Sequence, residues 1–202
     1  MRTSRESLES LALGGARRKE DARDFLLQEM PKQSICAEIG VYQGDFSARI
    51  MRIVTPQLLH LVDPWKYESA AVYRQSLYGG EKGVSQVNMD SIFDGIVKRF
   101  QAQITAGTVR VHRAASVDAS AAFSEGYFDW IYVDGNHQYK FVKADLGSYY
   151  PKVRKGGYMA GDDYGEGGWW QGGVKRAVDE FVAKSLVEVI LIRNGQFCLR
   201  KK

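Results

Sequence analysis

Two short loops carry the residues best suited to chemistry: Asp134, Asn136 and His137 in VDGNHQY, and Asp162 and Asp163 in GGYMAGDDY. Carboxylates drawn together from separate strand ends repel one another unless a cation lies among them, and hard oxygen ligands favour Mg2+, Mn2+ or Ca2+ over zinc. A neutral imidazole beside such a cation can take a proton from a hydroxyl that the cation has acidified, and His137 follows Asp134 by three residues. The bland alternative makes Asp162 and Asp163 turn residues facing water. Two more acids belong in the reckoning, Glu38 in ICAEIGV and Asp63 at the end of LLHLVD. A carboxylate at a strand end can accept hydrogen bonds from both hydroxyls of a ribose, or it can close the turn before Pro64.

Such a constellation needs parallel strands whose carboxyl ends meet. The run FDWIYV, residues 128–133, is apolar without alternation after Asp129, which suits a central strand covered on both faces. Asp134 then follows at its tip, and ligands of open α/β sheets bind beyond such tips. Residues 35–41, a glycine turn, the amphipathic FSARIMRIV and residues 58–62 read as a right-handed strand–helix–strand unit, gathering Glu38, Gly40, Gly44 and Asp63 at one edge. Residues 85–103 read as a helix and 109–114 as a strand. Residues 139–153 have helical spacing up to Pro151, 156–160 form a strand ending at Gly161, and 174–184 form a helix. Asn194-Gly195 between residues 187–193 and 196–200 is a hairpin signal. The count is an α/β, Rossmann-like sheet of seven mostly parallel strands with a C-terminal antiparallel hairpin strand and helices on both faces. If the fourth and fifth strands are neighbours about 4.8 Å apart, Asp134, Asp162 and Asp163 converge.

The turn Glu38-x-Gly40-x-x-x-Gly44 lets backbone approach a ligand closely, but it lacks the G-x-G-x-x-G cradle for a pyrophosphate. The expected ligand is therefore a nucleoside without a diphosphate. Residues 66–83, polar and tyrosine-rich, read as an insertion or lid. Residues 1–33 form a charged, helix-prone extension broken at Gly14-Gly15, ahead of a single domain over 34–202. The helix of residues 17–30 either covers the sheet with Phe25, Leu26 and Leu27 or caps a substrate site.

Composition narrows the classes further. The chain has 202 residues, 45% hydrophobic and 26% charged, and a net charge of +4 with no basic stripe, so a soluble α/β protein is expected and nucleic acid is not the expected partner. Cys36 and Cys198 lie in apolar runs without metal-ligand spacing and read as buried free thiols. No apolar segment is long enough to span a membrane, and MRTSRESLES lacks the apolar core of a signal peptide, so a cytoplasmic location is expected.

Taken together, Glu38-Ile-Gly40-x-x-x-Gly44, Asp63, Ala115-Ser116, VDGNHQY and GGYMAGDDY resemble the Rossmann-like, class I S-adenosylmethionine-dependent methyltransferases from about residue 35 to 202. More narrowly they are similar to metal-dependent O-methyltransferases of sugar hydroxyls in macrolides and related natural products, the macrocin and mycinamicin type of the Methyltransferase 24-like group. The resemblance implies that Glu38 and Gly40 line the methionine and ribose part of S-adenosylmethionine, with Gly44 also among the cofactor-binding residues, that Asp63 holds the ribose and that Ser116 lies near the adenine. It implies Mg2+ or another hard divalent cation on Asp134, Asp162 and Asp163, with Asp134 also beside the cofactor, and His137 as the base. Other relatives carry a second Asp where this chain has Asn136. A small-molecule acceptor, a sugar or glycosylated natural product, is the implied partner, and a homo-oligomer is compatible with it. A hydroxylase or other nucleotide-binding member of the same fold is the alternative reading.

Overall fold

The computed structural model describes residues 19–83 and 85–202. The Gly14-Gly15 break and the rest of residues 1–18 lie outside these described residues. The chain runs α1 (Lys19–Glu29), β1 (Ile35–Ile39), α2 (Asp45–Val54), β2 (Leu58–Asp63), α3 (Gln86–Arg99), β3 (Val109–Arg113), α4 (Ser116–Ser120), β4 (Phe128–Val133), α5 (Tyr139–Tyr149), β5 (Val153–Gly161), α6 (Gly173–Val182), β6 (Val187–Arg193) and β7 (Gln196–Lys201). The seven strands form one sheet in the order β3-β2-β1-β4-β5-β7-β6, parallel except for β7. Asn194 and Gly195 both take positive φ in the two-residue turn that reverses the chain into β7.

Strand β4 explains its own composition. Trp130 and Tyr132 face one core layer with Leu26, Leu27, Ile50, Met89 and Ile96, while Ile131 and Val133 face the other with Val142, Leu146, Val174 and Phe181. Helices α1, α2 and α3 therefore cover one face, and α4, α5 and α6 the other, so neither face of the strand tolerates polar alternation. Both thiols are buried and free, and burial pushes Cys198 up to about 12. Residues 66–83 hold a single turn at Ala71–Tyr73, a helical turn at Gly80–Gly83 and a bridge between Glu68 and Gly79. No described helix is long and apolar enough to cross a membrane.

The order of strands decides where a ligand can sit. From β1 the chain goes outward to β2 and β3 on one side, then returns to β4 and β5 on the other, so the crevice beyond β1 and β4 is the topological switch point. Glu38, Gly40, Asp63, Asp134 and the Asp162-Asp163 pair all lie at the carboxyl ends around it.

Candidate functional site

Gly40 is the hub of the crevice. It has φ +91°, its amide donates to the Val62 carbonyl at 2.9 Å, and the Asp134 amide donates to the Ile39 carbonyl at 2.8 Å. A Cβ on Gly40 would overlap the Asp134 carbonyl oxygen and come within 2.6 Å of the Gly135 Cα. Glycine is thus required first by the close approach of two strand ends. The residue also lines both cavities of the site, which share it as a common wall.

The smaller cavity, about 370 Å3, is bounded by Asp63, Tyr78, Ser116, Asn136, Phe141 and Asp145. Its Asp63 and Asp145 carboxylates are engaged by protein donors. Asp63, 1% exposed, accepts from the Val41 amide (2.8 Å), the Tyr42 amide (3.1 Å), the Trp65 amide (2.7 Å) and the Tyr78 hydroxyl. Three of these donors fall on Oδ2 and one on Oδ1, which keeps room for a further donor. Asp63 lines the cavity where the ribose role was read for it, and its backbone partners are those of the turn-closing alternative as well. Burial raises the Asp63 pKa while these donors lower it, and burial raises that of Tyr78. Ser116 does line this cavity, with its Oγ donating to Asp145, which burial pushes up to about 6.

The larger cavity, about 760 Å3, opens on the other side of Gly40 and is bounded by Glu38, Tyr42, Phe46, Tyr78, His137, Asp163, Trp169 and Trp170. Glu38 is buried, accepts from Ser47 Oγ at 2.5 Å, and is held well above the ordinary carboxylate range by burial. Gly44 lines neither cavity. It begins α2 at φ +75°, packed against Ile96 and Phe100, so of the residues expected to bind the cofactor it is placed at a helix start rather than on a cavity wall.

The loop acids meet as the spacing required, although in a different arrangement. His137 Nε2 lies 3.3 Å from Asp134 Oδ1 and 3.4 Å from Asp163 Oδ2, and one ligand atom from each of these three residues falls within 4.8 Å of the others. Asp162 turns elsewhere. Its Oδ1 accepts from Gln196 Nε2 at 2.5 Å and from the Asp163 amide at 2.7 Å, and its Oδ2 is paired with Arg23. Of the expected ligand set Asp134, Asp162 and Asp163, the structure brings Asp134 and Asp163 together at His137, while Asp162 meets Gln196 and Arg23. The two carboxylates suit a hard divalent ion by donor type, and all three groups lie close enough to surround one. Burial opposes a charge on His137, but Asp134 and Asp163 outweigh it and raise its pKa. Its Nδ1 is buried without a hydrogen-bond partner among the described residues.

Three functional candidates escaped the sequence reading: Arg23, Tyr78 and Asp145. Arg23 reaches from α1 to place one guanidinium nitrogen on Asp134 Oδ2 (2.9 Å) and on Asp162 Oδ2. Burial works against its charge, yet Tyr132, Asp134 and Asp162 hold it on. The helix covers the sheet through Leu26 and Leu27, which enter the core, and Arg23 also lines the larger cavity. Of the aromatic residues near the Asp162-Asp163 loop, Trp169 lines both cavities and Trp170 meets His137 edge-on at 4.8 Å, whereas Tyr164 turns to Asp179 of α6. His60 is fully packed among His112, Phe123, Tyr127 and Phe128 away from the crevice, as a structural histidine is.

A parallel sheet closed by a reversed seventh strand, with acids at the ends of β1, β2, β4 and β5, defines the architecture of class I, Rossmann-like methyltransferases. A family model described as a methyltransferase domain, Methyltransf_24, matches residues 37–164, more than half of the chain, and the chain belongs to that family. Among solved structures, the O-methyltransferase of Bacillus cereus in complex with SAH shares 13% identity over 100% of this chain and 92% of that one, with a TM-score of 0.61. The O-methyltransferase NovP shares 20% over 98% and 78%, with a TM-score of 0.58. TomG of Streptomyces achromogenes, an O-methyltransferase involved in tomaymycin synthesis and in complex with SAM, shares 15% over 98% and 86%, with a TM-score of 0.58. These likenesses are of fold. A curated protein of Acanthamoeba polyphaga mimivirus, itself uncharacterized, is 44% identical over 55 residues, so the chain spans only 24% of that relative's length.

Proposed function

We propose that the chain is an S-adenosylmethionine-dependent O-methyltransferase that acts on a hydroxyl of a small molecule, a sugar or glycosylated natural product, in the cytoplasm. The observation that carries this reading is the His137 imidazole held between Asp134 and Asp163 at the mouth of the larger cavity, with a second cavity adjoining it across Gly40. The NovP and TomG structures, both named O-methyltransferases, support the same reading.

On this reading the nucleoside end of the cofactor lies in the smaller cavity against Ser116, Asn136 and Phe141, and the methionine end passes Gly40 towards Glu38. When bound, the cofactor supplies an electrophilic methyl group on a sulfonium. A divalent ion such as Mg2+, held by Asp134 and Asp163, would supply acidification of the acceptor hydroxyl, with His137 left to receive the proton. The chain's own tasks are to orient the acceptor and receive its proton. His137 faces the larger cavity, and the flat rings of Trp169 and Trp170 beside it offer a stacking surface for a sugar or aromatic acceptor. Orientation supplies most of the rate, since the sulfonium is already reactive and needs a nucleophile aligned about 3 Å away.

Calorimetry with S-adenosylhomocysteine tests the cofactor, with binding expected for it and none for NAD. Labelled S-adenosylmethionine with a panel of sugars, catechols and polyketides tests the acceptor, and loss of labelling in EDTA tests the ion. Tight NAD binding without a response to S-adenosylhomocysteine would instead indicate an oxidoreductase. His137→Ala should abolish labelling while cofactor affinity stays; undiminished turnover would remove His137 from the proton path.

A further inference from the structure

The most unusual charge in the larger cavity is Arg23. Arg23 comes from α1, yet its guanidinium touches carboxylates at the ends of β4 and β5, 111 and 139 residues away along the chain. Its helix is firmly seated: Leu26, Leu27 and Met30 are in the core, and Asp24 is bridged to Arg49 of α2 at 2.8 Å. The guanidinium also lies 5.3 Å from the Phe46 ring centroid, so the side chain is held along its length.

Asp134 is consequently shared. One oxygen faces Arg23 at 2.9 Å and the other faces His137 at 3.3 Å. A fixed cation on a ligand carboxylate weakens its donation to a metal and repels a dication across a few ångströms of partly buried space, where screening is incomplete. We infer that Arg23 is the resident cation of the site and competes with a divalent ion for Asp134, so that the N-terminal helix sets how tightly the Asp134 and Asp163 carboxylates hold metal. This rests on the metal reading proposed above. It also gives Asp162 a role of its own as the buried anchor that, with Gln196 behind it, fixes Arg23 in place.

The test is direct Mn2+ titration of the full chain, reading free Mn2+ by electron paramagnetic resonance, with no turnover required. Arg23→Met should bind Mn2+ about tenfold or more tightly than the unaltered chain, because one opposing charge beside the ligands is gone. Arg23→Lys, which keeps the charge, should stay within about threefold of the unaltered chain, an outcome that loss of packing alone would not produce. Asp163→Asn in the Arg23→Met background should weaken the new affinity. Should Arg23→Met fail to fold, Arg23→Gln carries the same expectation, since it drops the charge and keeps a polar stem. Equal Mn2+ affinity with and without the Arg23 charge would overturn the competition and leave the metal reading standing. No Mn2+ binding by either chain would overturn both.

Discussion

Gly40→Ala tests the wall between the two cavities. The added Cβ would come within 2.5 Å of the Asp134 carbonyl carbon and 2.6 Å of the Gly135 Cα, both backbone atoms that cannot rotate away. Relief requires the ends of β1 and β4 to part by several tenths of an ångström. That strains the bonds from the Asp134 amide to Ile39 and from the Gly40 amide to Val62. Weakening two buried backbone bonds costs about 1 to 3 kcal/mol, and holding a non-glycine residue at φ +91° adds about 1 to 2 kcal/mol. The expected loss of about 2 to 5 kcal/mol corresponds to a fall in Tm of very roughly 5 to 20 °C for a domain of this size. Gly95→Ala is the control, because Gly95 is exposed within α3 and a Cβ there meets nothing within 4 Å. It should raise stability by about 0.5 to 1 kcal/mol through helix propensity. Urea unfolding gives both values, and S-adenosylhomocysteine calorimetry on Gly40→Ala should show weakened binding. If Gly40→Ala melts within about 1 °C of the unaltered chain and binds the ligand equally well, the close approach is not a constraint and the shared-wall argument fails.

Tyr78→Phe should remove one hydroxyl donor from Asp63 while leaving its three backbone amide donors. Stability should drop by about 1 to 2 kcal/mol, with S-adenosylhomocysteine affinity kept or improved as a ribose hydroxyl takes the vacated position; an affinity loss beyond tenfold would count against that exchange. Asp145→Asn addresses pH. The folded carboxyl titrates at about 6 against an ordinary 3.8, so the native state holds the proton more tightly, and its contribution to stability is lost as pH rises from about 4 through 6. Because Asn still accepts from Ser116 Oγ, the variant should gain on the unaltered chain by up to about 3 kcal/mol between pH 4 and pH 7.5 in urea unfolding. A difference independent of pH would show that burial does not hold that proton.

The order of elements and the strand-end acids were legible because they depend on local pattern. Residues 128–133 had to be covered on both faces, Asn194-Gly195 had to turn, and residues ending consecutive parallel strands had to share an edge. The fold of residues 66–83 was not legible, since it rests on the bridge between Glu68 and Gly79 and on Tyr78 reaching Asp63. The same holds for the division of labour among the acids. Asp162 and Asp163 are equivalent as letters, yet Gln196 and Arg23, from opposite ends of the chain, claim one and leave the other beside His137. Type and spacing along the chain therefore determined which acids gather at the sheet edge. Which of them faces a ligand, and which is already paired with the protein's own donors, was decided only by tertiary packing, because a hydrogen bond depends on ångström distances between residues that sequence spacing leaves unrelated.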